Sequence, residues 1–487
     1  MNAFRDSIGS ERLYSLRGGL LLASVVGLSF MAVRMLGFTG ALLLVAIPLV
    51  GAYLFWVFEE PRVGIYTIIS MSFAISGLGR YYSALPFGLS IDFLIVVTFL
   101  AFFFQHFRKT PWSLIPFDAF AVVGIWFFYC VAMIANPLSP GPEAWFYASR
   151  GLAFYMFFMI PLGILVFNTP KDLERFILIW LLFSSIGTLW AIKQIYIGVS
   201  QTEQLWLDGG AASTHFVWGK LRAFSYYSDA GQFGAAQAHA AIISAVVMLH
   251  PQSLKKKMLF LTFFILSMWG MGLSGTRGAI FLLGISAFTY LLFSKRFVIL
   301  VIGGVIAGGA FGFLKYTTLL SSNYQINRMR SAFDPNDPSL MVRKNREKIL
   351  VGYLANKPIG EGIGSSGYWG QRFRPGSFLA DLGTDSHFVR VWAETGIVGL
   401  IIDIAMFLYL IGKCGLILWR MEYSYHRTCL VGLYSGFVGV VVASYGNMVV
   451  AQMPTGTIIY LSIGFILVSR KWPSPIKDEV QIKSIQE

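Results

Sequence analysis

The amino-acid sequence predicts an all-α, polytopic integral membrane protein. Of its 487 residues, 56% are hydrophobic and only 13% are charged, whereas soluble globular chains carry about 25% charged residues. The mean hydropathy is correspondingly high, at +0.65. Apolar runs of about 17 to 25 residues, the length of a helix that crosses a bilayer, recur along nearly the whole chain.

Charged and turn-forming residues divide these apolar runs into about fourteen spans, so we predict 12–14 transmembrane helices and one long outer loop, 315–394. The first run is followed at once by another, which is typical of an uncleaved span and not of a signal peptide. The predicted limits are 18–33, 38–58, 63–79, 87–104, 115–135, 148–167, 174–198, 228–249, 258–273, 279–294, 297–314, 395–419, 429–447 and 454–469.

The distribution of Lys and Arg predicts the orientation of these helices. With the N-terminus inside, the inner segments hold 20 of the 38 basic residues and the short outer loops hold 7. The remaining 11 lie in 315–394, and long loops are largely exempt from the charge rule. Because cytoplasmic loops carry the excess of positive charge, we expect both termini in the cytoplasm and the segments 199–227 and 315–394 on the opposite side.

The composition also excludes several functional classes. We interpret the net charge of +14 as topology and attraction to anionic lipid, because the chain offers no soluble module for nucleic acid. Three cysteines are an odd number and indicate neither a disulfide framework nor a metal site. We divide the chain into N-terminal transmembrane helices at 1–199, a membrane region that includes the long outer loop at 200–450, and a last helix with a cytoplasmic tail at 451–487.

Two arginines face outward, against the charge bias. Arg277 stands in the turn "GLSGTRGAIF", whose small residues let helix backbones approach closely. Arg222 precedes an apolar run for which Asp229 is the predicted helix N-cap. A planar guanidinium and a helix N-terminus both favour phosphate oxygens, so these residues predict an anion site. The alternative is that each arginine only bonds helix-end carbonyls.

The long outer loop supplies further candidates. Its stretch 341–355 has helical spacing, and the glycine-rich turn "PIGEGIGSSG" offers backbone amides to an anion. His387, Arg390 and Glu394 follow at i, i+3 and i+7, which places all three on one helix face at the outer membrane boundary. A histidine titrates near neutral pH and is the commonest general base. The alternative is a polar interfacial face without a chemical role.

Isolated polar residues within the spans are interpreted as structural. His239 lies in the middle of a span, where packing is the commoner role of a histidine. Asp92 and Asp403 stand alone near outer helix ends. The short outer loops show no cluster of carboxylates that would hold a metal ion.

The order of these stretches resembles the O-antigen ligase and polymerase family of bacterial envelope proteins. The resemblance rests on "RAFSYYSDAGQFG", "SGTRGAIFLL" and the block from "NKPIGEGIGSSGY" through "DSHFVRVWAETGIVGL", and it covers roughly residues 200 to 450. Members of this family transfer a glycan from an undecaprenyl diphosphate carrier to an acceptor hydroxyl at the periplasmic face of the inner membrane. The resemblance implies this activity, this donor and this location for the present chain.

At the matching positions, the resemblance assigns Arg222 and Arg277 to the diphosphate and His387 to activation of the acceptor. The family is regarded as metal-independent, so neither a metal nor another cofactor is expected, and arginines would neutralise the leaving group. A single in-line displacement would invert the anomeric centre. Four residues of the long loop are expected to contact substrate: Arg343, Arg346, Arg390 and Glu394.

Two alternatives stay open at this point. The acceptor is either lipid A–core, as in a ligase, or another lipid-linked repeat unit, as in a polymerase, and we expect a surface polysaccharide product instead of a glycosylated protein. From a different class, a flippase or other polysaccharide transporter would suit a chain of about fourteen spans. Transporters often show inverted repeats and broken helices, and the sequence shows neither.

Overall fold

The computed structural model confirms the all-α membrane class. Ten helices of the described part are long and apolar enough to cross a bilayer. Both termini, at 1–15 and 473–487, and with them the predicted cytoplasmic tails, lie outside the described part. The residues described are 16–82, 87–106, 111–295, 297–322, 324–334 and 338–472.

Each of the fourteen predicted spans overlaps a helix. Nearly all side chains of the helix Ala230–Met248 are buried, because other helices enclose it. The helices that overlap the predicted spans are Leu16–Leu36, Phe38–Glu59, Pro61–Tyr81, Gly88–Gln105, Phe117–Ala135, Pro142–Val166, Pro170–Ile197, Ala230–Met248, Leu254–Ser274, Arg277–Ser294, Phe297–Tyr316, His387–Arg420, Tyr425–Ala443 and Thr455–Ser469.

Shorter elements lie between these spans. An antiparallel pair of two-residue strands joins Phe216–Val217 to Lys220–Leu221. The charged stretch predicted to be helical at 341–355 lies in the helix Pro338–Leu354, which confirms that prediction. The other short helices are Trp112–Leu114, Gln201–Trp206, Leu207–Ala211, Ala212–His215, Tyr324–Arg330, Ser331–Phe333, Gly367–Phe373 and Phe378–Leu382.

Within the described part of the chain, residues 16–64 and 97–106 form a small unit. Its buried cluster consists of Val57, Val97 and Ala101. The helix Phe38–Glu59 turns most of its apolar surface outward, as a helix in contact with lipid does.

The larger unit, residues 65–96 and 108–487, is built around the helix Ala230–Met248. Glycine and serine allow this helix to approach its neighbours closely, since a Cβ on Gly234 would lie only 2.3 Å from Ser274 Oγ. His239, in the middle of the same helix, is buried and packs edge-on against Trp180, with ring centroids 4.6 Å apart. This placement agrees with the packing role predicted for His239.

One end of the larger unit gathers helix ends that the topology predicts on the cytoplasmic side. Three basic side chains donate to backbone carbonyls there: Lys295 Nζ to Trp419 at 2.6 Å, Arg427 Nε to Leu418 at 3.1 Å and Lys471 Nζ to Ser113 at 2.5 Å. Cations suit the negative ends of helix dipoles, so the charge bias of the sequence also has a local structural role. The compartment that this end faces stays a prediction.

Candidate active site

Arg222 is bound to the turn that precedes Arg277. Its Nε donates to the Ser274 carbonyl at 3.0 Å and its Nη2 to Thr276 Oγ1 at 3.0 Å. A third bond runs from Nη1 to the Thr214 carbonyl at 3.1 Å. The two arginines predicted to bind the diphosphate therefore flank one turn, although they are 55 residues apart in the sequence.

Arg277 is the first residue of the helix Arg277–Ser294, with Thr276 at the N-cap position. Its Nη1 donates to the carbonyl and to Oγ of Ser331, at 3.3 and 3.2 Å. Ser331 belongs to the long outer loop. The arginine is half-buried and connects that loop to the turn, so its guanidinium is held in place, as the small residues around it predicted.

The helix Ala230–Met248 begins beside the same turn. Asp229 Oδ1 accepts a hydrogen bond from the Gln232 N–H at 2.9 Å, which confirms the predicted N-cap. His215 is a buried residue that no sequence motif marked. Its Nε2 lies 3.3 Å from the Ala230 nitrogen and accepts the Ala230 N–H. Burial lowers the pKa of His215 and favours the neutral imidazole that can accept this bond.

His387 is the first residue of the helix His387–Arg420, which Ser386 caps. The His387 backbone N–H donates to the Ser444 carbonyl at 2.9 Å. In the side chain, Nε2 lies 3.1 Å from Asp403 Oδ2, and only 2% of His387 and 1% of Asp403 is exposed. A buried carboxylate that orients an imidazole leaves the other ring nitrogen, Nδ1, as the proton acceptor.

A backbone reversal at Gly396 brings His387 and Asp403 together. Gly396 has φ 71° and ψ −173°, which interrupts the helix after nine residues and is a conformation that only glycine adopts without strain. A Cβ on Gly396 would lie 2.0 Å from the Pro358 carbonyl oxygen. The predicted span 395–419 therefore begins at this reversal, and His387 precedes it on a separate helical segment.

Two backbone amides of the glycine-rich turn support this reversal and are not available to an anion. The Glu361 N–H donates to the Ala393 carbonyl at 3.0 Å, and the Gly362 N–H donates to the Glu394 carbonyl at 2.9 Å. Both amides are therefore engaged within the chain. These two amides therefore have a structural role, and an anion contact through the rest of the turn stays a prediction.

The spacing of His387, Arg390 and Glu394 predicted that they share one helix face at the membrane boundary, and all three lie on the helical segment that precedes Gly396. His387 and Glu394 are buried, and Arg390 Nε pairs with Glu394 Oε1 at 3.0 Å while His387 pairs with Asp403. Asp403 is therefore not isolated as expected. The sequence missed this pair because the reversal at Gly396 cannot be read from helical periodicity.

The second aspartate, Asp92, is not isolated either. Its Oδ2 accepts from Arg150 Nη1 at 2.6 Å, and Arg150 is 7% exposed. The sequence placed Arg150 in an outer loop without assigning a role to it. In the structure, it lies in the wall of a cavity that also includes Arg390.

Arg343 and Arg346 lie in a small surface pocket next to Ser386, the residue before His387. Arg346 Nη1 donates to the Gly383 carbonyl at 3.2 Å and lies 3.6 Å from Asp385 Oδ2. The long loop therefore brings both predicted basic residues to the start of the helix that carries His387.

One loop, residues 444–454, joins these groups. Its Ser444 carbonyl binds the His387 backbone, as described above. Asn447 reaches the turn of the arginines, since a Cβ on Gly278, the residue after Arg277, would lie 3.4 Å from Asn447 Nδ2. No residue type in this loop distinguished it in the sequence, because its short polar stretch reads as an ordinary connection between two spans.

Among the residues that the structure describes, no three His, Cys, Asp or Glu side chains are grouped as metal ligands. Metal independence stays a prediction that requires a chelator test. The described residues provide a histidine–carboxylate pair and two arginines at one turn, where Arg277 begins a helix and Arg222 bonds the residues before it. Such a set can accept a proton and stabilise an anionic leaving group.

Residues 261–403 match a family model described as O-antigen ligase. The matched region covers less than a third of the chain. It contains Arg277, the long loop and His387, and it ends at Asp403, whereas Arg222 lies before it. None of the curated proteins matches the chain.

Proposed function

We propose that this multi-pass membrane protein, whose residues 261–403 match a family model described as O-antigen ligase, transfers a glycan from an undecaprenyl diphosphate carrier to an acceptor hydroxyl. We place the reaction at the periplasmic face of the bacterial inner membrane, with both termini cytoplasmic. The observation that carries the proposal is the His387–Asp403 pair, which one loop joins to the turn between Arg222 and Arg277.

Arg222 and Arg277 bind the diphosphate of the carrier in this proposal. Guanidinium groups present a planar fork of donors to phosphate oxygens and keep their charge at any physiological pH. Two helices, Ala230–Met248 and Arg277–Ser294, begin next to these side chains. Helix N-termini carry partial positive charge, so they add to the stabilisation of an anion there. Arg343 and Arg346 are assigned to further contacts with the substrate.

His387 accepts the proton of the acceptor hydroxyl. With Nε2 donating to Asp403, the imidazole uses Nδ1 as the base, and the carboxylate stabilises the imidazolium that forms. The acceptor oxygen then forms a bond to the anomeric carbon while the bond from that carbon to the diphosphate oxygen breaks. The leaving group departs as the lipid diphosphate anion, the glycan is transferred with inversion, and the proton rests on His387.

The decisive assay uses purified protein in detergent with a lipid-linked glycan donor and an acceptor glycan. We expect the wild type to form product with or without EDTA, and His387→Gln to form none because glutamine lacks basicity. A transporter would form no product in solution, where no compartments exist. Loss of the wild-type activity in EDTA, or normal turnover by His387→Gln, would contradict this mechanism.

The acceptor is decided by the glycans of a strain from which the gene is deleted. Single repeat units left on the cell surface indicate a lost polymerase. Long chains that accumulate on the carrier lipid indicate a lost ligase. Either result is compatible with the site described above, because both reactions use a lipid diphosphate donor and a hydroxyl acceptor.

A further inference from the structure

A cavity of about 280 Å³ opens in the larger unit beside the segment that carries His387. Its wall includes the start of the helix Pro142–Val166, the long loop around Trp369, Arg390, and part of the loop 444–454. The volume is close to the lower limit of about 300 Å³ for small-molecule sites. The helix widens into a π-helical turn at Arg150–Phe154 in this wall, and such turns are frequent at functional sites.

Two arginines lie in the wall, and each is paired with a carboxylate. Arg150 pairs with Asp92 at 2.6 Å, and Arg390 pairs with Glu394 at 3.0 Å. Each pair is neutral as a whole. These two guanidinium groups therefore supply hydrogen-bond donors to the cavity without the excess positive charge that a diphosphate requires.

Several polar atoms of these pairs have no hydrogen-bond partner although they are buried. They are Arg150 Nε, Arg390 Nη2 and Glu394 Oε2. Buried polar atoms are almost always satisfied, so unsatisfied atoms at a cavity indicate capacity for a ligand. Arg150 and Arg390 lie in the wall with Gln452, whose side-chain amide can both donate and accept. This combination suits hydroxyl groups, because each hydroxyl both donates and accepts.

Aromatic rings form another part of the wall. The rings of Tyr147 and Trp369 are stacked, with centroids 5.0 Å apart and an angle of 18° between their planes. Arg150 Cζ lies 4.9 Å from the centroid of the Tyr147 ring. Tyr368, beside Trp369, is 67% exposed. Flat aromatic surfaces next to convergent polar groups suit a ligand with an apolar face and a hydroxylated rim, which is the character of a pyranose ring.

The cavity is close to the proposed base. Arg390 follows His387 by three residues in the same helical segment, and its Nη1 lies 3.7 Å from Met448 Sδ. Met448 belongs to the loop whose Ser444 carbonyl holds the His387 backbone. The base acts on the acceptor hydroxyl, so we assign a sugar in this cavity to the acceptor and not to the glycan of the donor.

We infer that this cavity is a subsite for a neutral sugar of the acceptor glycan. The sugar ring packs against Trp369, and its hydroxyl groups bond Arg150, Arg390 and Gln452 in the wall. The assignment of the sugar to the acceptor rests on the proposed transfer reaction, whereas sugar binding itself does not depend on turnover.

Saturation-transfer NMR with the purified full chain tests the binding. The probes are methyl glycosides of glucose, galactose and mannose, with methyl glucuronide as the anionic comparison. At least one neutral glycoside should give signals that fall about fivefold or more in Trp369→Ala, since an aromatic contact of this kind is worth that factor. Trp419→Ala is the matched control, because Trp419 lies at the opposite end of the unit, and it should give wild-type signals.

Kinetics supply the second readout. With saturating donor, Trp369→Ala should raise the KM for the acceptor glycan about fivefold or more while the KM for the donor stays within a factor of about two. If the melting temperature of Trp369→Ala shows that this variant does not fold, Tyr368→Ala replaces it, because Tyr368 is exposed.

The outcomes separate the two proposals. Wild-type NMR signals and acceptor KM in a folded variant would overturn the subsite and leave the transfer reaction standing. Stronger signals from the glucuronide than from every neutral glycoside would overturn the assignment to a neutral sugar. Sugar binding that depends on Trp369, in a protein that transfers no glycan, would uphold the subsite and refute the proposed reaction.

Discussion

His387 Nε2 lies 3.1 Å from Asp403 Oδ2, although 16 positions separate the two residues along one segment of chain. In a straight helix, that separation would place them about 24 Å apart. The reversal at Gly396 removes this distance. The pair therefore depends on a backbone conformation as much as on its two side chains.

Asp403→Asn should lower kcat by about 10²- to 10⁴-fold, because the amide neither fixes the productive tautomer of His387 nor stabilises its imidazolium. The KM for the lipid-linked donor should change little, since the arginines remain. Steady-state kinetics of the purified variant measure both constants. Asp118→Asn, which breaks an ion pair with Lys413 at the opposite end, is the control and should keep wild-type kcat. A fully active Asp403→Asn would show that the pair is only structural.

Arg277→Ala should lose about 2–5 kcal/mol of binding to the diphosphate, the usual cost of removing one partner of a buried charged contact. Arg277→Lys should also be impaired, because an ammonium lacks the planar fork of donors. Arg222 variants should behave in the same way. Binding of the donor lipid and initial rates are the measurements, and Arg420→Ala, at the far end of the unit, is the control. Full activity of an Arg277→Ala protein that inserts normally would refute the diphosphate contact.

Gly396→Ala should destabilise the protein and abolish activity together. The backbone conformation at Gly396 costs about 1–3 kcal/mol for any other residue, and the added methyl group, 2.0 Å from the Pro358 carbonyl oxygen, causes overpacking that costs about 1–3 kcal/mol. Gly412→Ala in the same helix is the matched control, because nothing lies within 4 Å of its Cβ position. Melting temperatures in detergent should separate the two variants, and equal values would argue against strain at the reversal.

The stability of the protein should fall as the pH drops below about 6.5, the usual pKa of histidine. Burial lowers the pKa of His215, the Ala211 carbonyl and Asp229 raise it, and Arg222 and Arg80 lower it further. The unfolded chain therefore binds a proton that the folded chain does not, so this contribution to stability is complete above the unfolded pKa and is lost at lower pH.

Melting temperatures at pH 7.5 and 5.5 measure this dependence on His215. His215→Gln keeps an oxygen that can accept the Ala230 N–H but does not titrate, so its melting temperature should depend less on pH. An unchanged dependence in His215→Gln would show that other groups govern the response to acid.

The orientation of the chain is testable with reporter fusions. Lys256 should read cytoplasmic and Gly210 periplasmic, because they lie on opposite sides of a span in the predicted topology. Since Arg222, His215 and the turn at Arg277 meet in the structure, Gly210 and the long loop should face one compartment. A cytoplasmic reading at Gly210 would remove the proposed site from the periplasm.

The spans were predictable because a bilayer imposes both length and hydrophobicity on a helix. The enclosed helix Ala230–Met248 was also predictable, because charged and turn-forming residues flank it in the sequence. Arg222 and Arg277 could be selected because arginines are uncommon in the outer loops of a membrane protein. His387 could be selected because it stands at the start of a predicted helix.

The relations between those residues could not be predicted from the sequence. Asp403 appeared isolated because, in a regular helix, it would lie more than four turns from His387. Only the conformation of Gly396 brings the two residues together. Arg150 was passed over because a single arginine at a helix end usually bonds water or carbonyl groups. The loop 444–454 acts through a backbone carbonyl, and the position of a carbonyl group cannot be read from the residue types.

The backbone bond between His387 and Ser444 has a consequence for biosynthesis. Ser444 follows His387 by 57 residues and lies at the far end of the next complete span, so it leaves the ribosome well after the histidine. The His387 side chain is therefore synthesised before the helix Tyr425–Ala443, whose C-terminal end carries the carbonyl that holds the His387 backbone. A chain that ends before Ser444 lacks this hydrogen bond.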